Sequence, residues 1–141
     1  MSQKHPPLVA IDRLNIALPK GADRSLAVSN ATVSIERGEV LCIVGESGSG
    51  KSVLASAIAG LLPGNTLKIT GGSLTFDGQD VLSLNDVQLR KLRGARIGYI
   101  FQEPMTALNP LLTVGRQVAE TLEAHGFPAP KDKIAALFAA M

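Results

Sequence analysis

The sequence lacks the features that mark disulfide-rich secreted proteins, membrane-spanning proteins and strongly basic nucleic-acid binders. Its 141 residues include one cysteine, Cys42, so a disulfide framework within the chain is excluded. No apolar run approaches the roughly 20 residues that cross a bilayer, and the first ten residues hold no apolar core of signal-peptide length. A net charge of +2, with both signs mixed, gives no argument for nucleic acid or for an anionic membrane surface.

The composition that is present indicates one globular domain. Hydrophobic residues make up 45% of the chain and charged residues 18%, which is typical of a folded rather than a disordered protein. Cys42 lies in the apolar run VLCIV, residues 40–44, and is predicted to be a small core residue. A lone buried thiol fits a reducing cytoplasm.

Alternation of apolar and polar residues predicts several strands. Residues 14–18 and 26–35 are expected to pair antiparallel, and SLTF, residues 73–76, is expected to end in a turn at Asp77-Gly78. The run VLCIV is apolar on both faces, which is typical of a central parallel strand. A further strand is predicted for RIGYIF, residues 96–101.

Apolar residues at helical spacing predict four helices. They are residues 53–61, stopped by Pro63-Gly64; a helix reaching about Arg93, with a capping box from Ser83 and Asp86; a helix capped by Thr113 and ended by Gly126; and residues 131–141. The last helix shows no stop signal, so we interpret the chain as ending inside an amphipathic helix, that is, as truncated.

The segment VGESGSGKS lies between VLCIV and the first helix. Its last eight residues match G-x-x-x-x-G-K-[ST] without a mismatch. In this pattern the glycines let backbone N–H groups wrap a polyphosphate, and the following helix directs its amino end at the anion. Lys51 is expected to reach the β- and γ-phosphates, and the Ser52 hydroxyl to ligate Mg²⁺. The P-loop, residues 45–52, therefore predicts a site for a nucleoside triphosphate with Mg²⁺, formed by Gly45, Glu46, Ser47, Gly48, Ser49, Gly50, Lys51 and Ser52.

A glutamine follows the predicted strand RIGYIF, in the sequence GYIFQEP. Ligands of open α/β sheets bind where strands end, which is where Gln102 is expected to lie. Its amide oxygen can ligate a metal or accept a hydrogen bond from water, and the side chain carries no charge. Gln102 is therefore a candidate metal ligand.

These segments together resemble the ATP-binding subunits of ABC transporters. Three segments carry the resemblance: VGESGSGKS, GGSLTFDGQDV and IGYIFQEPMTALNPLLTVGRQVAE. Their sequences are similar to those of the dipeptide, oligopeptide and nickel importer group, and the similarity extends over about Leu8 to Met141. The resemblance implies an α/β fold, a P-loop NTPase core of the ABC ATPase type with an antiparallel β-subdomain. Residues 1–141 would form an incomplete nucleotide-binding domain. Residues 8–80 would hold the β-subdomain strands and the Walker A strand, loop and helix; 81–102 a helix and the Q-loop strand; and 103–141 the start of a helical subdomain.

The resemblance also implies a function. It assigns Lys51 to the phosphates, Ser52 to Mg²⁺, and Gln102 to the metal and the attacking water as a catalytic residue. It implies an ATPase subunit, peripheral on the cytoplasmic face of the inner membrane, that couples MgATP binding and hydrolysis to import of peptides or similar small solutes. The implied partners are a permease, docking near residues 103–117, a second nucleotide-binding domain and, indirectly, a solute-binding protein, with no nucleic acid.

The sequence departs from the family pattern at two places. Leu18 stands where family members stack an aromatic side chain on adenine. The signature motif, the Walker B aspartate, the catalytic glutamate and the switch histidine would lie beyond Met141, so the chain is predicted to bind MgATP without turnover and to leave the apolar VLCIV partly exposed. His5 and His125 are predicted to be solvated.

Three alternatives stay open at this point. A non-transport ABC ATPase shares the P-loop and the glutamine. A soluble P-loop kinase needs an acidic residue after a buried strand, for which Asp77 is the candidate, although a hairpin turn explains Asp77-Gly78 better. A truncated relic would be catalytically inert.

Overall fold

The computed structural model describes residues 6–103 and 107–141. It divides into two compact units, Met1–Ile97 and Gly98–Met141. The first unit contains β1 (Val9–Ala17), β2 (Leu26–Ile35), α1 (Lys51–Ile58), β3 (Lys68–Phe76), β4 (Gln79–Asp80), a 3₁₀ turn (Val81–Ser83) and α2 (Asp86–Ala95). The second contains α3 (Val114–Ala124) and α4 (Lys131–Ala139). None of the helices in these described ranges is both long and apolar enough to span a bilayer.

The sheet of the first unit is antiparallel, with strand order β2-β1-β3-β4. Ile11 of β1 lies opposite Val33 of β2 on one side and Leu74 of β3 on the other. The predicted antiparallel pairing of the first two strands is therefore confirmed. β1 and β3 are longer than the alternation predicted, and Leu18 lies just beyond the end of β1.

One face of this sheet and one stripe of α1 form the core. Leu14, Ile16 and Leu74 are completely buried because alternate residues of a strand point to the same face. Leu54 and Ala57, three residues apart on α1, join the same cluster. The predicted helix after the P-loop is thus confirmed, and its burial positions the loop from which it starts.

Helix α1 ends earlier than predicted. Gly60 adopts a φ of 63°, and the N–H groups of Gly60 and Leu61 donate to the carbonyl oxygens of Ala57 and Ser56 at 3.0 and 2.8 Å. These two bonds form a Schellman motif, which ends a helix at a left-handed glycine. The predicted helix end at Pro63-Gly64 was therefore wrong, because Gly60 already supplies the capping conformation.

The turn between β3 and β4 is the hairpin that the sequence predicted. Asp77 and Gly78 have φ values of 52° and 76°, and Phe76 pairs with Gln79 across the turn. Two positive φ angles are the requirement of a type I′ turn. The Asp77 carboxylate also pairs with Arg96 at 2.7 Å and with Arg37. Asp77 therefore joins three separate segments of the first unit and does not occupy the position that a P-loop kinase needs.

The segment VLCIV was wrongly predicted to be a buried strand. Residues 40–44 belong to none of the strands among the described residues. Val40 and Val44 are 94% and 85% exposed, and Cys42 is exposed rather than buried in the core. A central strand requires a hydrogen-bonded neighbour, and none of the described strands pairs with this segment. The exposure of the apolar face agrees with the expectation from the sequence.

The predicted strand at residues 96–101 is likewise not formed, and Ile100 is 92% exposed. The physical reason is the same absence of a paired neighbour within residues 6–103 and 107–141.

The predicted position of the α2 capping box was also wrong. Asn85 accepts from the Gln88 N–H at 3.0 Å, and the Gln88 side chain accepts from the Asn85 N–H at 2.9 Å.

The second unit begins its described helices with a predicted cap. The Thr113 hydroxyl accepts a hydrogen bond from the Arg116 N–H, and α3 ends at His125 before Gly126, whose φ is 75°. Pro130 precedes α4, which suits a helix start. Gln117 binds back to Asn109 through two hydrogen bonds of 2.9 and 3.1 Å, which orders the segment ahead of α3.

Replacing Asp77 should make the stability of the first unit less dependent on pH. The hydrogen bond from Arg96, with the charge of Arg37, holds the pKa of Asp77 below the usual 3.8. A pKa that is lower in the folded state stabilises above pH 3.8, and this contribution is lost as the pH falls through the lowered value. Asp77→Asn, which tolerates the positive φ, is expected to unfold at lower urea concentration at neutral pH and to match the parent chain in acid. Asp23→Asn, at an exposed position, is the control; an equal loss for Asp77→Asn at both pH values would contradict the assignment.

Replacing Gly50 should destabilise the junction between β2 and α1. Its φ is 95°, and a Cβ there would overlap the carbonyl oxygen of Ala27 and lie 3.2 Å from a methyl group of Val28. Backbone strain of this kind costs about 1–3 kcal/mol, so Gly50→Ala is expected to lower the free energy of unfolding by at least that amount in urea titrations. Gly64→Ala is the matched control, because its added Cβ meets nothing within 4 Å. Equal stability of the two variants would show that the approach of Gly50 to β2 is not tight.

Candidate functional site

The P-loop follows the unpaired segment 40–44 and turns back sharply before α1. Residues 47–50 form turns and bends, and the Ser49 N–H donates to the Glu46 carbonyl at 3.2 Å. Gly48 and Gly50 have φ values of 77° and 95°, a region that side-chain-bearing residues rarely adopt. The two glycines therefore let the chain reverse within the motif.

Lys51 folds its side chain back over this loop. Its ammonium donates to the carbonyl oxygens of Gly45 and Glu46 at 2.8 and 2.7 Å, and to the Ser49 hydroxyl at 3.3 Å. An ammonium group has three donors, so these contacts occupy all of them. The positive charge is thus held at the concave side of the P-loop by neutral acceptors.

The amino end of α1 carries no group that neutralises it. Its N-cap is Gly50, which offers no side-chain cap, and its first turn contains no acidic residue. The first main-chain bond of the helix runs from the Leu54 N–H to the Gly50 carbonyl at 2.9 Å. The preceding N–H groups of Lys51, Ser52 and Val53 point out of the helix end, where the helix dipole favours an anion.

A cavity of about 220 Å³ opens at this helix end. It is lined by Leu18, Arg24, Ala27 and residues 48–53. Pockets that enclose a whole drug-sized ligand measure roughly 300–1,000 Å³, so the cavity suits part of a nucleotide. We call it the P-loop cavity.

Three larger cavities lie elsewhere among the described residues. One of about 340 Å³, beside α1 and the 3₁₀ turn, is lined by aliphatic residues and Gly60. A second, of about 640 Å³ within the second unit, lies along α3, with Glu120 and His125 on its wall. A third, of about 390 Å³ in the same unit, has Arg116 and Lys131 on its wall together with Glu123, and Arg116 is paired with Glu120 and Glu123. Of these four cavities, the P-loop cavity is the one whose lining holds basic side chains without an acidic one, which suits a polyanion.

The structure brings most of the predicted P-loop residues together. Residues 48–52 line the cavity. Gly45 and Glu46 supply the carbonyl oxygens that hold Lys51, and Ser47 lies in the turn that follows Glu46. Glu46 contributes through its backbone, in keeping with its variable place in the motif.

Gln102 belongs to the second unit, where it is exposed at a bend. Its catalytic and metal-binding roles stay predictions. His5, which was predicted to be solvated, and Pro104 lie outside the described residues. His125 is exposed, as predicted, and its ring nitrogen Nδ1 lies 3.0 Å from the Thr121 carbonyl.

Four cavity residues come from outside the motif, namely Leu18, Arg24, Ala27 and Val53. Leu18, singled out from the sequence for the base contact, does line the P-loop cavity. Arg24 was missed, because an arginine in a polar turn carries no sequence signal that separates it from a solvated one. Its place becomes visible only when the turn between β1 and β2 folds beside the P-loop.

Comparison of the chain with known proteins identifies its family. The ABC transporter family model matches residues 28–141. The chain is 47% identical over 119 residues to the peptidoglycan transport ATP-binding protein YejF of Agrobacterium fabrum, covering 84% of this chain and 22% of that protein. It is 42% identical over 118 residues to the dipeptide transport ATP-binding protein DppD of Bacillus subtilis, covering 84% and 35%.

A solved structure shares the fold. The ATP-binding cassette MJ0796, in a dimeric post-hydrolysis state bound to ADP and Pi, superposes with a TM-score of 0.68 at 32% identity, over 81% of this chain and 46% of that one. The chain thus spans between about a fifth and a half of the lengths of these proteins. On the family match and these identities, the chain belongs to the ABC transporter family, among its ATP-binding components.

Proposed function

We propose that the chain is part of an ATPase subunit that couples MgATP binding and hydrolysis to the import of peptides or similar small solutes through an ABC permease. One observation carries the ATP-binding part: the Lys51 ammonium and the uncapped amino end of α1 lie at the same small cavity. A positive side chain and a row of outward N–H groups together form a polyphosphate site.

The proposed binding step is an exchange of acceptors. Lys51 would release the carbonyl oxygens of Gly45 and Glu46 and bind β- and γ-phosphate oxygens, which form stronger, charge-assisted bonds. The N–H groups at the start of α1 would bind the same phosphates. The loop carbonyls therefore hold the lysine close to where its ligand enters.

The residues present also fit a magnesium ion. The Ser52 hydroxyl stands in the first turn of α1 at the cavity, and a hydroxyl oxygen is a hard ligand of the kind that Mg²⁺ prefers. Mg²⁺, when bound, neutralises charge on the phosphates. Ser52 would hold it, and Gln102 is the second proposed ligand and the residue proposed to contact the attacking water.

The apolar residues that line the cavity are aliphatic. Leu18, Ala27 and Val53 line it, and none of its lining residues is aromatic. Adenine would therefore lie against aliphatic side chains instead of stacking on a ring, and the phosphates would supply most of the binding free energy. This is the physical reason to expect modest affinity.

The domain division and the assembly remain part of the proposal. Residues 8–80 and 81–102 would form the β-subdomain and the Walker A and Q-loop region, and 103–141 the start of the helical subdomain. A second nucleotide-binding domain would complete the site, in line with the dimeric cassette to which the chain is similar. Residues 1–141 contain no counterpart of the family's catalytic glutamate, so we expect this chain to bind MgATP without turnover.

The segment ahead of α3 is the proposed permease contact. Leu111 is 90% exposed, Leu108 and Leu112 are partly exposed, and Gln117 holds the segment to the helix. Exposed leucines on an ordered segment suit a helix of a membrane partner at the cytoplasmic face. Import of peptides rests on the names of the relatives, with a solute-binding protein as an indirect partner.

Two alternatives from the sequence remain, a non-transport ABC ATPase and a catalytically inert relic. The first shares the P-loop geometry, and co-purification with a permease rather than with nucleic acid would favour the importer over it.

Lys51→Ala is expected to abolish nucleotide binding. Removing the ammonium deletes the charge-assisted bonds to phosphate, each worth about 1.5–3 kcal/mol, so the affinity for MgATP should fall at least tenfold in a calorimetric titration of the chain. Lys20→Ala, at an exposed position of the β1–β2 turn, is the control and should bind as the parent chain does.

Two outcomes would contradict the proposal. Equal MgATP binding by the parent chain and Lys51→Ala, with circular dichroism showing both folded, would remove the P-loop as the site. Steady-state phosphate release by the parent chain that Lys51→Ala abolishes would show that this chain turns ATP over without the family's glutamate.

A further inference from the structure

Arg24 is a second cation at the P-loop cavity that the motif does not account for. It lies in the turn between β1 and β2, which the Leu18 N–H closes by donating to the Ser25 carbonyl at 3.0 Å. Its Nη2 donates to the carbonyl oxygen of Gly48, 24 positions away in sequence. The guanidinium is thus attached to the tip of the P-loop by a residue from a different segment.

The residues that line the cavity carry two positive side chains and no negative one. Arg24 and Lys51 are the cations, and the other lining residues are glycine, serine or aliphatic. Two cations with no carboxylate among the lining residues create a positive potential in a partly enclosed space, which concentrates anions. The cavity therefore has more positive charge than the P-loop motif alone supplies.

The bond to Gly48 leaves Arg24 able to change partner. A carbonyl oxygen is a neutral acceptor, whereas a phosphate oxygen forms a bond roughly twice as strong with a guanidinium. The guanidinium carries five N–H donors in a planar fork that matches phosphate geometry. The carbonyl acceptors of Lys51 stand in the same relation to that side chain.

We propose that Arg24 is a phosphate-binding residue of this site and makes it select ligands by the length of the phosphate chain. When a nucleotide enters, the guanidinium turns from the Gly48 carbonyl to phosphate oxygens and adds a second positive contact to that of Lys51. A triphosphate offers two cations more negative charge and more oxygen acceptors than a nucleoside monophosphate does. This inference deepens the proposed function and rests on it.

A purely structural role makes a different prediction. If Arg24 only shaped the loop through Gly48, its loss would weaken every ligand by a similar factor, and added salt would not change that factor. A direct contact with phosphate weakens triphosphates most, and the effect shrinks as salt screens the charge of the exposed guanidinium.

The test is a calorimetric titration of MgATP, AMP and inorganic triphosphate into the whole chain and into Arg24→Gln, at low and high salt. The affinities for MgATP and triphosphate should fall roughly tenfold, the scale of one charge-assisted hydrogen bond, while AMP binding changes much less. Arg24→Lys should restore part of the loss, because it keeps the charge without the fork. Lys20→Gln removes one charge from the same turn and should leave all three affinities unchanged.

The possible failures can be told apart. If Lys51→Ala abolishes MgATP binding and Arg24→Gln binds MgATP normally, this inference alone is overturned. Losses of equal size for AMP and MgATP also overturn it, since they assign Arg24 to the shape of the loop. If the parent chain shows no Lys51-dependent binding, the proposed function fails, and the role of Arg24 fails with it.

Discussion

The close approach of Gly50 to the carbonyl oxygen of Ala27 is the constraint on which the site depends. A side chain at position 50 would occupy the space of the β2 backbone, so the start of α1 is held directly against the sheet. The same residue carries the positive φ that turns the loop into the helix. Burial of Leu54 and Ala57 in the sheet core then fixes the rest of the helix. The amino end of α1 consequently faces a cavity built from both the loop and the β1–β2 turn.

The amino end of α1 keeps its partial positive charge because the local sequence supplies no capping side chain and no acidic residue. Gly50 cannot cap the helix with a side chain, and no acidic residue stands in the first turn. Most helix ends satisfy these N–H groups with a neighbouring oxygen or with water; here they face a cavity lined by Lys51 and Arg24. Both cations rest on main-chain carbonyls, which are weak competitors for phosphate. The arrangement keeps the charges close to the site without neutralising them.

Local chemistry made parts of this structure predictable from sequence, and non-local pairing made other parts unpredictable. The P-loop, the Asp77-Gly78 hairpin and the Thr113 cap each depend on a few adjacent residues with demanding φ angles or side-chain acceptors, and each is formed. The runs at residues 40–44 and 96–101 have strand-like composition, but a strand exists only with a paired neighbour, and the described residues provide none. Cys42 was misplaced for the same reason. Arg24 was invisible because its partner, Gly48, is distant in sequence.

The proposed nucleotide site can be tested at the level of single backbone amides. Hydrogen exchange of the chain, with and without saturating MgATP, follows the N–H groups that are proposed to bind phosphate. Phosphate binding at the P-loop should slow exchange at residues 46–53 and change it little along α2, whose residues do not line the P-loop cavity. Unchanged exchange at residues 46–53 in the presence of bound nucleotide would contradict it.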